Sequence, residues 1–162
     1  MTRKPKWRTA EEVMRELENN PDYVRTRKKK DENFRQIRIQ LDALLEPVLM
    51  KLKDAGFPSA SLQELVQNFA PLPRPIVDIL LEGLKECQDD RLQESFIRAL
   101  GATRIPFNGR ALTECFDKTE SEGLRFAILN TIALAKPHSI DEWFDNVWQN
   151  DYRRKQLIDL GY

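Results

Sequence analysis

A stretch of this chain nearly repeats itself at an offset of 32 residues. Leu80, Leu112 and Phe144 are related by that shift, as are Leu84, Phe116 and Trp148. Leu92 pairs with Leu124, and Phe96 with Ile128 and Leu160. Ile97/Leu129 and Leu100/Ile132 keep the same register. The matched residues are large and apolar, and none is a catalyst by type. Self-similarity at a period of roughly 20–50 residues, built from helical units, specifies a stacked array in which each unit buries a face only against its neighbours. That constrains architecture strongly and chemistry hardly at all.

Helix start and stop signals frame the array. Thr9-x-x-Glu12 reads as a capping box, in which the hydroxyl accepts from a free backbone N–H and the glutamate reaches back. The helix it opens carries Val13, Met14 and Leu17 and ends near Asn19-Asn20. Pro21 then suits a first helical turn, where its missing N–H would go unpaired anyway. From Asp22 to about Ala55 the apolar residues Phe34, Ile37, Leu41, Leu44, Val48 and Leu52 recur at threes and fours, one face of a long amphipathic helix that Leu45 and Leu49 widen. Pro47 inside it predicts a kink or two abutting helices. Gly56 is the expected C-terminal cap.

Ser61-x-x-Glu64 predicts a second capping box and a short helix through Phe69. Pro71, Pro73 and Pro75 form a stiff joint, because a residue preceding proline avoids helical geometry. That joint is the expected border between residues 1–70, an N-terminal helical cap, and residues 71–162, the array. Helix pairs are expected at Arg74–Cys87 with Asp90–Leu100, and at Gly109–Asp117 with Ser121–Ala135. A third pair should start at a capping box, Ser139-x-x-Glu142, run to Gln149, and end in a short helix over Arg153–Leu160. Trp143, Phe144, Trp148 and Tyr162 crowd that end, which either folds back or leaves an apolar patch.

Composition narrows the function classes. The chain has 162 residues, enough for one domain with a real core. Two cysteines, Cys87 and Cys115, make no disulfide framework and read as buried reduced thiols within helices. His138, the single histidine, follows Pro137 between helices, where an exposed loop residue is expected. The basic N-terminus is followed by an acid-rich amphipathic segment, so neither signal nor transit peptide is read there. No stretch approaches the length of a membrane helix. Reduced thiols without an export signal point to the cytoplasm. The net charge of zero hides an asymmetry: residues 1–53 carry 14 Lys+Arg against 9 Asp+Glu, and the remainder 12 against 17. A basic beginning and an acidic body suit either self-complementarity or two separate contact surfaces.

The run Asp89-Asp90-Arg91-Leu92-Gln93-Glu94-Ser95-Phe96-Ile97-Arg98-Ala99-Leu100-Gly101 resembles the second helix of a HEAT repeat. Glu122-Gly123-Leu124-Arg125-Phe126-Ala127-Ile128-Leu129-Asn130-Thr131-Ile132-Ala133 is a weaker copy. The opening, from Trp7-Arg8-Thr9-Ala10-Glu11-Glu12 to Asn20-Pro21-Asp22-Tyr23-Val24, is similar to the start of small bacterial HEAT-repeat proteins of unassigned function. The resemblance implies an all-α, right-handed α-solenoid of HEAT-like helix pairs behind an N-terminal long-helix cap. The period is short for HEAT, whose repeats run ~40–47 residues, and nearer the tetratricopeptide length. The Trp, Gly and Tyr positions of tetratricopeptide repeats are absent, so HEAT-like stands.

Second helices of an α-solenoid usually line the face that takes a partner. Arg91, Glu94, Arg98, Arg125 and Asn130 are therefore the expected protein or peptide contacts, with Trp143, Phe144 and Trp148 as an aromatic end suited to a partner or a homodimer. A toxin-neutralising or regulatory role would need only such a surface. The run Arg25-Thr26-Arg27-Lys28-Lys29-Lys30 offers phosphate contacts for nucleic acid through Arg25, Arg27, Lys28, Lys29 and Lys30, with Arg35 and Arg38 nearby. The plainer reading is a solvated face with Asp22, Asp31 and Glu32 at ion-pair spacing. Certain HEAT-like proteins are DNA glycosylases, but their groove of aromatic and acidic residues cannot be mapped here. Asp89-Asp90 and Glu120/Glu122 sit at turns, where carboxylates cap helices. No phosphate loop, nucleophile–histidine set or metal spacing is present, so no catalytic residue, cofactor or metal is expected.

Overall fold

The computed structural model describes residues 8–143. Phe144, Trp148 and Tyr162, with the expected short helix over residues 153–160, lie outside the described residues. Among the described residues seven complete α-helices follow one another: α1 (Ala10–Glu18), α2 (Pro21–Asp54), α3 (Leu62–Phe69), α4 (Arg74–Glu86), α5 (Asp90–Leu100), α6 (Arg110–Lys118) and α7 (Glu122–Ala135). Among the described residues there is no strand, only two isolated parallel bridges.

Local chemistry sets most of the boundaries. Thr9 and Glu12 complete their capping box in both directions. Asn20 Oδ1 accepts from the N–H groups of Asp22 and Tyr23 as α2 begins at Pro21. α2 runs through Pro47 as one helix, not two abutting ones. It stops at Gly56, whose φ of 91° no β-carbon-bearing residue adopts without strain. Phe57 N–H donates to the Leu52 carbonyl and Gly56 N–H to that of Lys53, a double closure of the helix end. Asp89 Oδ1 accepts from Arg91 and Leu92 N–H to open α5, and Ser121 Oγ accepts from Leu124 N–H to open α7.

Two capping expectations need correction. Ser61 does cap α3, but Glu64 reaches back to the N–H of Ala60, one residue earlier than the motif requires. Ser139 caps nothing: its backbone is left-handed, φ 63°, whereas an N-cap needs extended geometry. Its hydroxyl instead lies 2.8 Å from His138 Nδ1, and the next helical segment begins at Asp141.

The chain divides into two compact units, the first ending at Ala43 and the second starting at Leu44. The division falls inside α2, and the Pro71–Pro75 joint lies within the second unit. No described residue of the first unit is buried. The apolar stripe of the long helix is therefore sealed only at Val48 and Leu52, while Phe34 is 58% exposed.

In the second unit every described member of the 32-residue register is buried. Leu80, Leu84, Leu92, Phe96, Ile97 and Leu100 form the first set, and Leu112, Phe116, Leu124, Ile128, Leu129 and Ile132 the second; none is more than 4% exposed. Each helix pair is closed the same way. Leu72 bridges Thr103 across α4–α5, and Asn108 bridges His138 across α6–α7. In both cases the bridge joins a residue two before the first helix to one three after the second. Thr103 Oγ1 donates to the Leu72 carbonyl, and Gly109 N–H to that of His138. His138 keeps its side chain exposed, as expected of a loop residue, while its backbone serves the bridge. The pairs meet through α5 and α7, where Thr131 Oγ1 donates to the Ile97 carbonyl at 2.9 Å. Gly83 permits another close approach: a β-carbon there would lie 3.1 Å from Val48 Cγ2 and 3.3 Å from Phe96 Cζ.

Candidate interaction surface

α5 and α7 each bury one side and expose the other. On α5 the outer stripe holds exposed Arg91, Ser95 and Arg98, with Glu94 half-buried among them. On α7 the outer stripe runs from exposed Glu122 through exposed Phe126 and half-buried Asn130 to exposed Leu134. Spacings of three and four place each set on one helical stripe. Arg98 grips Glu94 within its own helix, Nε at 2.8 Å and Nη2 at 2.6 Å from Oε1. That pair neutralises itself. Phe126 and Leu134 are 50% and 60% exposed, an unusual placement on a helix whose other large apolar side chains are buried.

Leu134 was not among the residues picked out by sequence. Its signal was present: Phe126 and Asn130 are register mates of Glu94 and Arg98, so the second copy replaces an ion pair by a more apolar stripe that Leu134 continues.

Arg125 does not join this face. It is the register mate of Gln93 and turns towards α6, its guanidinium 5.6 Å from the centre of the Phe116 ring. Its Nε is buried without a hydrogen-bond partner, although the stacked cation is held by the ring. Trp143 meets the same ring edge-on, at 5.4 Å and 80°, and its indole N–H donates to Asp117 Oδ1 at 3.4 Å. The expected contact set thus splits. Arg91, Glu94 and Arg98 lie on the outer stripe of α5 and Asn130 on that of α7, while Arg125 and Trp143 gather round the Phe116 ring of α6. Phe144 and Trp148 lie outside the described residues.

Gln93 holds the seam between the first pair and α6. Its Nε2 donates to the Cys87 carbonyl at 2.7 Å, and the Cys115 thiol donates to its Oε1 at 3.6 Å. The recess there, about 280 Å³, is also lined by Asp90, Glu114 and Lys118. Burial, and then Asp90, push the Cys115 thiol up to about 11, and burial also raises that of Cys87. Thiols so placed are poor nucleophiles. Native Cys115 should therefore react with iodoacetamide at neutral pH about a hundredfold more slowly than an unfolded thiol, by the loss of thiolate. Folded Cys115 keeps its proton where the unfolded thiol loses it. Stability should thus fall as pH rises from the ordinary 9.0 towards about 11, and a Cys115→Ser variant should lose that slope in pH-dependent denaturant melts. Among the described residues, no three His, Cys, Asp or Glu side chains converge to hold a metal ion.

The basic run lies on the first unit. Arg25, Arg27, Lys28, Lys29 and Lys30 are all exposed on α2. Arg25 lies 3.6 Å from Asp22, and Lys30 Nζ sits 5.7 Å from the Phe34 ring centre. Among the described residues Arg27, Lys28 and Lys29 make no ion pair; Glu32 accepts from Gln36 instead. No described helix is long and apolar enough to cross a membrane.

No protein-family model, no curated protein and no solved structure matches this chain.

Proposed function

We propose that this chain is a non-enzymatic helical-repeat module of the cytoplasm that holds a protein or peptide partner on the exposed face of α5 and α7. In this reading its helix pairs are HEAT-like units of a right-handed solenoid. The observation that carries it is the α7 stripe, on which Phe126 and Leu134 stand exposed, together with the Arg98–Glu94 pair on α5, the helix against which α7 packs. Apolar anchors rimmed by charge suit a recognition surface, in which the buried aromatic supplies affinity and the rim supplies selectivity. A toxin-neutralising or regulatory partner needs nothing more than this. A second reading, nucleic-acid binding by α2, rests on Arg27, Lys28 and Lys29, which are exposed and make no ion pair among the described residues.

One experiment separates the two. Tagged wild type, Phe126→Asp/Leu134→Asp and Arg27→Ala/Lys28→Ala/Lys29→Ala/Lys30→Ala are used to capture material from source-cell lysate, with and without nuclease. The expected result is a protein that survives nuclease and the alanine variant and falls at least about tenfold with the aspartate variant. Nucleic acid recovered by wild type and lost by the alanine variant would move the function to α2. Its binding should then fall steeply with added salt.

A further inference from the structure

A groove of about 480 Å³ opens in the second unit, walled by the end of α2, the end of α4 and the start of α5. Sites for small molecules run ~300–1,000 Å³, so this space suits a small ligand and is too confined for a folded partner. Val48, Leu92 and Phe96 make an apolar floor, none of them more than 7% exposed. Leu44, 54% exposed, and Pro47 make the α2 wall. Gly83 has no side chain, so the backbone of α4 is itself part of the lining.

The charge around the groove has one sign. Glu86 and Asp89 line it, and no Lys, Arg or His does. Lys51 comes within 3.8 Å of Glu86 but lies nearer Glu82, at 3.1 Å, and one cation cannot neutralise two carboxylates. α4 ends here at Glu86, and the C-terminal end of a helix is its negative pole. The positive pole of α5 is already met, because Asp89 Oδ1 accepts from Arg91 and Leu92 N–H. The Cys87 thiol is also engaged, donating to the Asp89 carbonyl at 3.5 Å. An apolar floor under an anionic rim complements a molecule with an apolar body and one positive end. An anion of the same shape would meet like charge at Glu86, and a neutral molecule would gain from the floor alone.

We propose that this groove is a binding site for small amphiphilic cations, organic ammonium compounds whose apolar body lies on Val48, Leu92 and Phe96 and whose ammonium faces Glu86 at the end of α4. The site uses neither Phe126 nor Leu134 and stands whether or not the outer stripes of α5 and α7 hold a partner.

Octylammonium, octanol and octanoate share one chain and differ in head charge, and together they test this. Each is titrated into the full chain while the methyl signals of Val48 and Leu92 are followed by NMR. Octylammonium should move those signals to saturation and bind about tenfold more tightly than octanoate, with octanol between them. Glu86→Gln should narrow the octylammonium–octanoate ratio to about threefold or less. Lys51 keeps its nearer partner Glu82 in that variant, so the fold is not put at risk. Leu44→Trp should fill the groove and abolish the saturable shifts without altering urea unfolding, since Leu44 is at the surface. Octanoate bound as tightly as octylammonium would overturn the proposal. So would the absence of a saturable shift at Val48 and Leu92 up to the solubility of the probe, or binding that survives Leu44→Trp, which would place the ammonium compound elsewhere.

Discussion

Phe96→Ala is expected to destabilise the second unit by about 3–5 kcal/mol, the range for truncating a buried aromatic. Phe96 is 1% exposed, and its ring lies against the backbone of Gly83, where α4 passes it. The ring also walls a groove of about 480 Å³ shared with Val48, Gly83 and Leu92. Truncation therefore removes packing from α2, α4 and α5 together. Because domain stabilities run only ~5–15 kcal/mol, the loss is a large share of the whole. Urea unfolding followed by circular dichroism should show the midpoint fall with the slope unchanged. Phe126→Ala provides the contrast. An exposed aromatic should change the stability by no more than about 0.5 kcal/mol, and a loss comparable to that of Phe96→Ala would mean that the α7 stripe is core rather than surface.

Gly109→Ala should destabilise the same unit by about 1–3 kcal/mol, although it adds a single methyl group. A β-carbon at Gly109 would lie 2.4 Å from Ile140 Cγ2 and 3.0 Å from two atoms of Pro137. Neither neighbour has a flexible end with which to retreat. Gly109 N–H also donates to the His138 carbonyl at 2.9 Å, so displacement would loosen the bridge that closes α6–α7. Amide hydrogen exchange should show faster exchange at Gly109 and His138, with the α4–α5 bridge at Leu72 keeping its wild-type rate. A variant as stable as wild type would show that the loop over Pro137–Ile140 yields without strain.

Both positions illustrate how far the sequence could be read. Phe96 was visible through its register mate Ile128, because two helices packed alike demand apolar residues at the same offsets. Gly109 carried no such mark. Glycine before a helix is ordinary, and only the return of the chain at Pro137–Ile140 shows that the space above it is filled. The cap at Ser139 failed for a related reason. Its spacing to Glu142 was correct, but closing the α6–α7 bridge turns that backbone left-handed, and tertiary closure outweighs one cap hydrogen bond.

The candidate surface was legible in part. Arg91, Glu94 and Arg98 share one stripe of α5 because helical spacing alone decides which residues of one helix lie together. Arg125 left that set because α6 offers it the Phe116 ring, a neighbour that spacing within α7 cannot reveal. The apolar stripe of α2 divides in the same way. Phe34 and Leu52 are equivalent by pattern, yet Leu52 is wholly buried and Phe34 mostly exposed.

Periodicity, caps and the 32-residue register thus determined which segments are helical, where most of them stop, and which residues form the core of the helix pairs, since these follow from backbone geometry and the insolubility of apolar side chains. The tertiary structure alone decided which apolar stripes are covered, which cations are stacked, and which glycine has no room for a β-carbon. Each of those depends on what another segment places opposite, and no local pattern contains that information.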